Sequence, residues 1–132
     1  MPIEYRIDHD HRLVIAKGEG TLRDGDVFDY QRDVWSRADV AGYDELVDMS
    51  GVKHIKIPSS ARVKDLADLA ADMDPPQGSS KFAIVAPTDL AFGLGRMFEI
   101  YRGLNPRSNK QVAVFRTMKE ALSWLGAPET LG

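Results

Sequence analysis

"KFAIVAP", Lys81 to Pro87, is the stretch on which the fold turns. Phe82 to Ala86 is apolar at every position, so a strand made from it has no solvated face. Parallel sheets bury such strands on both faces, and the run is predicted to lie inside one. Thr88 then caps a helix to about Gly103, with Leu90, Leu94, Met97, Tyr101 and Leu104 recurring on one face. "QVAVF", Gln111 to Phe115, is a last strand. Thr117-Met118-Lys119-Glu120 is a capping box that opens a helix bearing Ala121, Leu122 and Leu125, stopped by Gly126 and Pro128.

Upstream, Ile3, Tyr5 and Ile7 alternate with Glu4, Arg6 and Asp8, the period of a half-buried strand, and Leu13 to Lys17 is a second strand. Asp8-His9-Asp10-His11 forms a polar hairpin turn between them. Gly18, Gly20 and Thr21 end the hairpin. Val27, Tyr30, Val34 and Ala38 then predict a helix from about Asp24 to Ala38. Glu45 to Met49 is a short strand, Ser50 to Pro58 a connection, and Val63, Leu66, Ala70 and Met73 make the stripe of a further helix. Pro75 to Ser80 is a loop that breaks it. The order is ββαβαβαβα. A hairpin followed by three strands, each reached by a right-handed helical crossover, gives an α/β fold with a five-stranded mixed sheet, an N-terminal β-hairpin and four helices.

At 132 residues the chain fits one domain, spanning residues 1–132. Its 43% hydrophobic and 28% charged residues are those of a globular protein, which excludes disordered and fibrous classes. A formal charge of -3 with no basic block argues against a nucleic-acid partner. With no cysteine, thiolate chemistry, disulfides and cysteine zinc sites are excluded. The N-terminus has no apolar signal core and no segment is long enough for a transmembrane segment, so the expectation is a cytoplasmic protein.

In an open sheet with crossover helices, ligands gather beyond the carboxyl ends of the parallel strands. Three such ends are legible: Asp48-Met49-Ser50-Gly51 with Ser59-Ser60, Pro87-Thr88-Asp89, and Arg116-Thr117. Hydroxyls at helix starts cap free amides, which is the ordinary role of Ser59, Ser60, Thr88 and Thr117. An anion or phosphoryl site is the alternative, with Arg116 or Lys56 as counterion. Ser50 lacks the flanking glycines of a nucleophile elbow, and His54 is expected in a surface loop, so no catalytic residue is assigned. His9 and His11 with Asp8 and Asp10 have metal-ligand chemistry, yet an exposed turn rarely encloses an ion, and neither a metal nor a cofactor is expected. Gly93 and Gly95 lie inside a helix and read as points of close approach between helices, or as a weak spot in this one. Phe92 and Phe98 fall off that helix's stripe and call for cover by a neighbouring element, a second copy or a ligand.

"LVDMSGVKHI", Leu46 to Ile55, resembles a motif of the STAS domain: an apolar strand, then aspartate, an apolar residue, serine, glycine and valine. In that family a following helix start carries a serine phosphorylated by a kinase partner. The matching position here reads Lys56-Ile57-Pro58-Ser59-Ser60-Ala61. "AIVAPTDLAFGLGRMFEIYRG" and "VAVFRTMKEALSWL" are similar to small SpoIIAA-like, or STAS/SEC14-like, proteins. The resemblance implies a STAS/SpoIIAA-like fold and a non-enzymatic regulatory or protein-interaction domain. Its protein partner would be met through the strand-end loop and the helix after Ser59, with Ser59 or Ser60 as a candidate switch, and a homodimer through the helix that carries Phe92 and Phe98. The SEC14-like side implies a second function: a binder or carrier of a small apolar or lipid ligand, or a peripheral membrane contact. In that case Phe92, Phe98 and Tyr101 would line or cover the ligand. A hydrolase ranks third. An enclosed apolar pocket favours the second reading over the first. A cleft joining Ser50, His54 and a carboxylate would favour the third.

Overall fold

The structure, a computed structural model, describes residues 2–132. Five strands, β1 (Ile3–Asp8), β2 (Leu13–Arg23), β3 (Asp44–Lys56), β4 (Ser80–Val85) and β5 (Lys110–Phe115), form one sheet in sequence order. β1 pairs antiparallel with β2, and every other pair is parallel. The helices are α1 (Asp24–Trp35), α2 (Ser60–Asp72), α3 (Asp89–Leu104) and α4 (Met118–Leu125). Because the three crossovers all step the same way and are right-handed, α1, α2 and α3 share one face. After the last strand, α4 packs on the other.

β4 shows why its sequence has no polar alternation. Phe82, Ile84 and Ala86 meet α2 and α3, whereas Ala83 and Val85 meet Ala121 and Leu122 of α4. Period-two geometry sends neighbours to opposite faces, and both are covered. The strand lies between β3 and β5, inside the sheet as expected.

Two strands are longer than their sequences suggested. β3 does not stop at Met49: it continues through Ser50, Gly51 and His54 to Lys56, so His54 lies on a strand and not in a loop. β2 likewise runs on through Gly18, Gly20 and Thr21 to Arg23. The two extensions pair with each other, Glu19 opposite Gly51 and Arg23 opposite Lys56, across two register shifts. Their glycines serve that bulge. A Cβ on Gly51 would fall 2.8 Å from the Gly18 carbonyl oxygen, and one on Gly18 would fall 2.7 Å from Val52. Only glycine permits so close a backbone approach.

Helix boundaries shift more modestly. α1 ends at Trp35, and Ala38 begins a short 3-10 turn to Val40. α3 is seated one position round from its leucine stripe. Ala91, Gly95, Phe98 and Arg102 face inward, with Leu94, Met97 and Tyr101 at the flanks, while Leu90, Ile100 and Leu104 are exposed. The reason is the approach to the sheet: a Cβ on Gly95 would already be 3.1 Å from Val114. Gly95 is thus a point of close approach to the sheet, and Gly93 faces open space. No helix among the described residues is long and apolar enough to cross a membrane.

Candidate functional site

The strand-end residues separate into three groups. On β3, one Asp48 carboxylate oxygen accepts from the Ser50 amide at 2.9 Å and from the Ser50 hydroxyl at 2.6 Å. The second group joins β5 to the start of α3. Thr88 caps α3 by accepting from the Ala91 amide, and Arg116 donates to the Pro87 carbonyl and to Asp89 while lying 4.2 Å over the Phe92 ring. Thr117 forms half of its predicted box: its hydroxyl accepts from the Glu120 amide, but the Glu120 carboxylate accepts from that hydroxyl and not from the Thr117 amide. The third group is Ser59 and Ser60, both exposed. Ser59 holds the N-cap position of α2, but its hydroxyl makes no cap bond.

Ser50 and His54 share no hydrogen bond, and the Ser50 hydroxyl donates to Asp48 instead. At the hairpin, His9 lies 2.8 Å from the Tyr43 hydroxyl and His11 2.9 Å from Asp8. No group of three His, Asp or Glu residues converges on a metal position among the described residues.

Phe98 requires a correction. It is only 7% exposed and packs edge-to-face on Phe82, ring centroids 5.7 Å apart, so it lies on the core side of α3. Phe92 is half-buried beneath Arg116, and Tyr101 is half-buried against the cluster under α2 and α3.

Between the sheet and its three-helix face lies a cavity of about 110 Å³. α1 contributes Val27 and Phe28, α2 Val63 and Leu66, and α3 Leu94 and Phe98 to its walls, over a floor from β3 and β4. The part of β3 that sequence reading took for a connection extends one wall through Ile55, with Ile57 just beyond the strand. The cavity is therefore beneath the helices, whereas a site at the strand-end loops was expected.

Few polar groups line it. Arg62 donates to Asp24 at 2.8 Å, bridging α1 to α2, and its guanidinium lies 4.1 Å over the Phe28 ring. At the other end Glu45 is held on both oxygens, by Lys110 on one and by Tyr30 and Trp35 on the other. Burial, with the Glu45 charge beside it, pushes the Tyr30 hydroxyl well above the ordinary tyrosine range, so it stays protonated and donates. The last polar residue is Gln31 of α1, 8% exposed, whose amide nitrogen reaches only the Met73 sulfur at 3.7 Å.

Gln31, Glu45 and Arg62 were not singled out from sequence. The usable signal was a polar residue at an inward position: Gln31 follows Phe28 by three, and Glu45 opens an apolar strand.

The Arg62 guanidinium holds the Asp24 carboxyl below its ordinary value of 3.8, the hydrogen bond outweighing partial desolvation. A depressed folded-state pKa contributes stability that is present above the unfolded value and lost as pH falls through the folded one. The α1–α2 bridge is therefore expected to weaken only below pH 3.8. In an NMR titration the Asp24 midpoint should lie under 3.8 in the parent and return toward it in Arg62→Met. Equal midpoints would show that the bridge does not form in solution.

No family model and no curated protein matches the sequence. Among solved structures, the chain is similar to an uncharacterized protein of the DUF3478 family with a SpoIIAA-like fold from Shewanella loihica PV-4, at 15% identity and a TM-score of 0.57 over 93% of each chain. At that identity the likeness is one of fold, and the fold of this chain is SpoIIAA-like.

Proposed function

We propose that this SpoIIAA-like domain is a non-enzymatic binder of a small apolar molecule, held in the cavity between the sheet and α1, α2 and α3. The observation that carries the proposal is the cavity, partly open to solvent and walled mostly by apolar side chains of the sheet and three helices. Interiors normally pack without such voids, and a void forfeits the contacts of every atom lining it. An engineered apolar cavity of about 150 Å³ binds benzene, so a space of about 110 Å³ suits a ligand no larger than one ring. Phe98 is part of the lining, whereas Phe92 and Tyr101 are not.

A second reading, a STAS-type regulatory domain that meets a protein partner or a second copy, is supported by two surfaces. The Ser59 and Ser60 side chains are exposed at the start of α2, and Leu90, Ile100 and Leu104 are exposed along α3.

Toluene is the probe that separates the readings. Its addition should shift the methyl NMR signals of Val63, Leu66 and Leu94, and at ten times its Kd should raise the unfolding free energy by about 1.4 kcal/mol. If neither the signals nor the stability moves, the ligand proposal falls and the interaction reading takes its place.

A further inference from the structure

We infer that the ligand is a neutral molecule with one hydroxyl, which hydrogen-bonds the side-chain amide of Gln31. The inference rests on the cavity proposed above as a binding site and adds the chemistry of its occupant.

Gln31 sits on the inward face of α1, where helical spacing calls for an apolar residue, and it is more than nine-tenths buried. An amide has two N–H donors and an oxygen with two acceptor positions. Here one N–H reaches the Met73 sulfur, a weak acceptor, and no described residue donates to the amide oxygen. An amide so poorly matched at the wall of an apolar cavity is costly, and an apolar side chain of similar size would avoid the cost.

The buried Glu45 is held by Lys110, Tyr30 and Trp35, and the half-exposed Arg62 faces Asp24 and Asp65. Among the buried polar side chains of the lining, Gln31 is the one whose hydrogen-bonding capacity the protein leaves largely unused. Water is held poorly there, because the walls are mostly apolar and one amide supplies few of the two to four partners that an ordered water takes. A charged ligand is disfavoured too, since it would compete for charges already paired: Arg62 with Asp24 and Asp65, Glu45 with Lys110. A hydroxyl suits the amide: its O–H donates to Oε1, its oxygen accepts from Nε2, and its apolar body meets the remaining walls.

Phenol and toluene test this, being the same size and differing only in the hydroxyl. The parent should bind phenol about 10-fold more tightly than toluene, the value of one buried hydrogen bond. Gln31→Met and Gln31→Leu place apolar side chains at an inward helical position, and both should bind toluene at least as tightly as phenol. A parent without preference for phenol, or a preference that survives in either folded variant, overturns the inference and leaves the cavity proposal standing. Benzoate bound as tightly as phenol overturns the neutral class. A parent that binds neither phenol nor toluene overturns the cavity proposal itself.

Discussion

Lys110→Met is expected to lower the unfolding free energy by about 3–5 kcal/mol, the usual result of stranding one member of a buried ion pair. Lys110 and Glu45 come from β5 and β3, on either side of β4, and their side chains are 4% and 3% exposed with nitrogen and oxygen 3.0 Å apart. The ammonium also lies 3.2 Å from the centroid of the Trp35 ring, so the cation is paired and covered by an aromatic face. Without it, the Glu45 carboxylate stays buried with only the Tyr30 and Trp35 donors. Replacing both members, Lys110→Met with Glu45→Met, should recover much of the loss, since apolar replacement of a whole buried pair is often near neutral. Recovery should be incomplete because the Tyr30 hydroxyl then lacks an acceptor, while Trp35 keeps only its longer bond to Tyr30. Urea denaturation of the two variants and the parent decides the matter. If the single and double variants are equally unstable, the pair is not the source of the loss. The pair bears on function as well, because Glu45 lines the cavity and Lys110 neutralises its charge.

Phe98→Ala should cost about 3–5 kcal/mol, as for other buried aromatic side chains cut to alanine. The ring packs on Phe82 and forms part of the cavity wall, so its loss enlarges a space that already exists. That gives the variant a signature that a simple packing defect lacks. Toluene, or a slightly larger aromatic probe, should stabilise Phe98→Ala more than it stabilises the parent, by filling the added volume. An equal response in both proteins would show that the ring does not border the ligand space. Phe98→Asp would bury a charge and prevent folding, so it cannot report on self-association. A second copy or a partner on α3 would instead meet Leu90, Ile100 and Leu104, and Ile100→Asp is the variant that leaves the core untouched.

The two strongest sequence signals were local ones. The apolar run Phe82 to Ala86 required cover on both faces, and it has Phe98 and Ala91 on one side and Ala121 and Leu122 on the other. Thr88 and Thr117 were readable as caps because the amides they satisfy lie three residues away. β3 was cut short because Ser50 to Lys56 is polar and contains a glycine, and its extended state depends on the matching extension of β2, some thirty residues earlier. The seating of α3 was misread because leucines outweigh glycine in any hydrophobic pattern. In the folded protein the smallest residue faces the sheet, since that allows the helix to approach Val114.

Element order, crossover handedness and cap positions follow from interactions within a few residues, and the chain carries them in its periodicity. The cavity and its polar groups do not arise that way. Lys110 meets Glu45 across 65 positions and Arg62 meets Asp24 across 38, distances over which no local pattern specifies a partner. The cavity is the volume that α1, α2, α3 and the sheet fail to fill once each has taken its own best seating, and it exists only after all of them have packed.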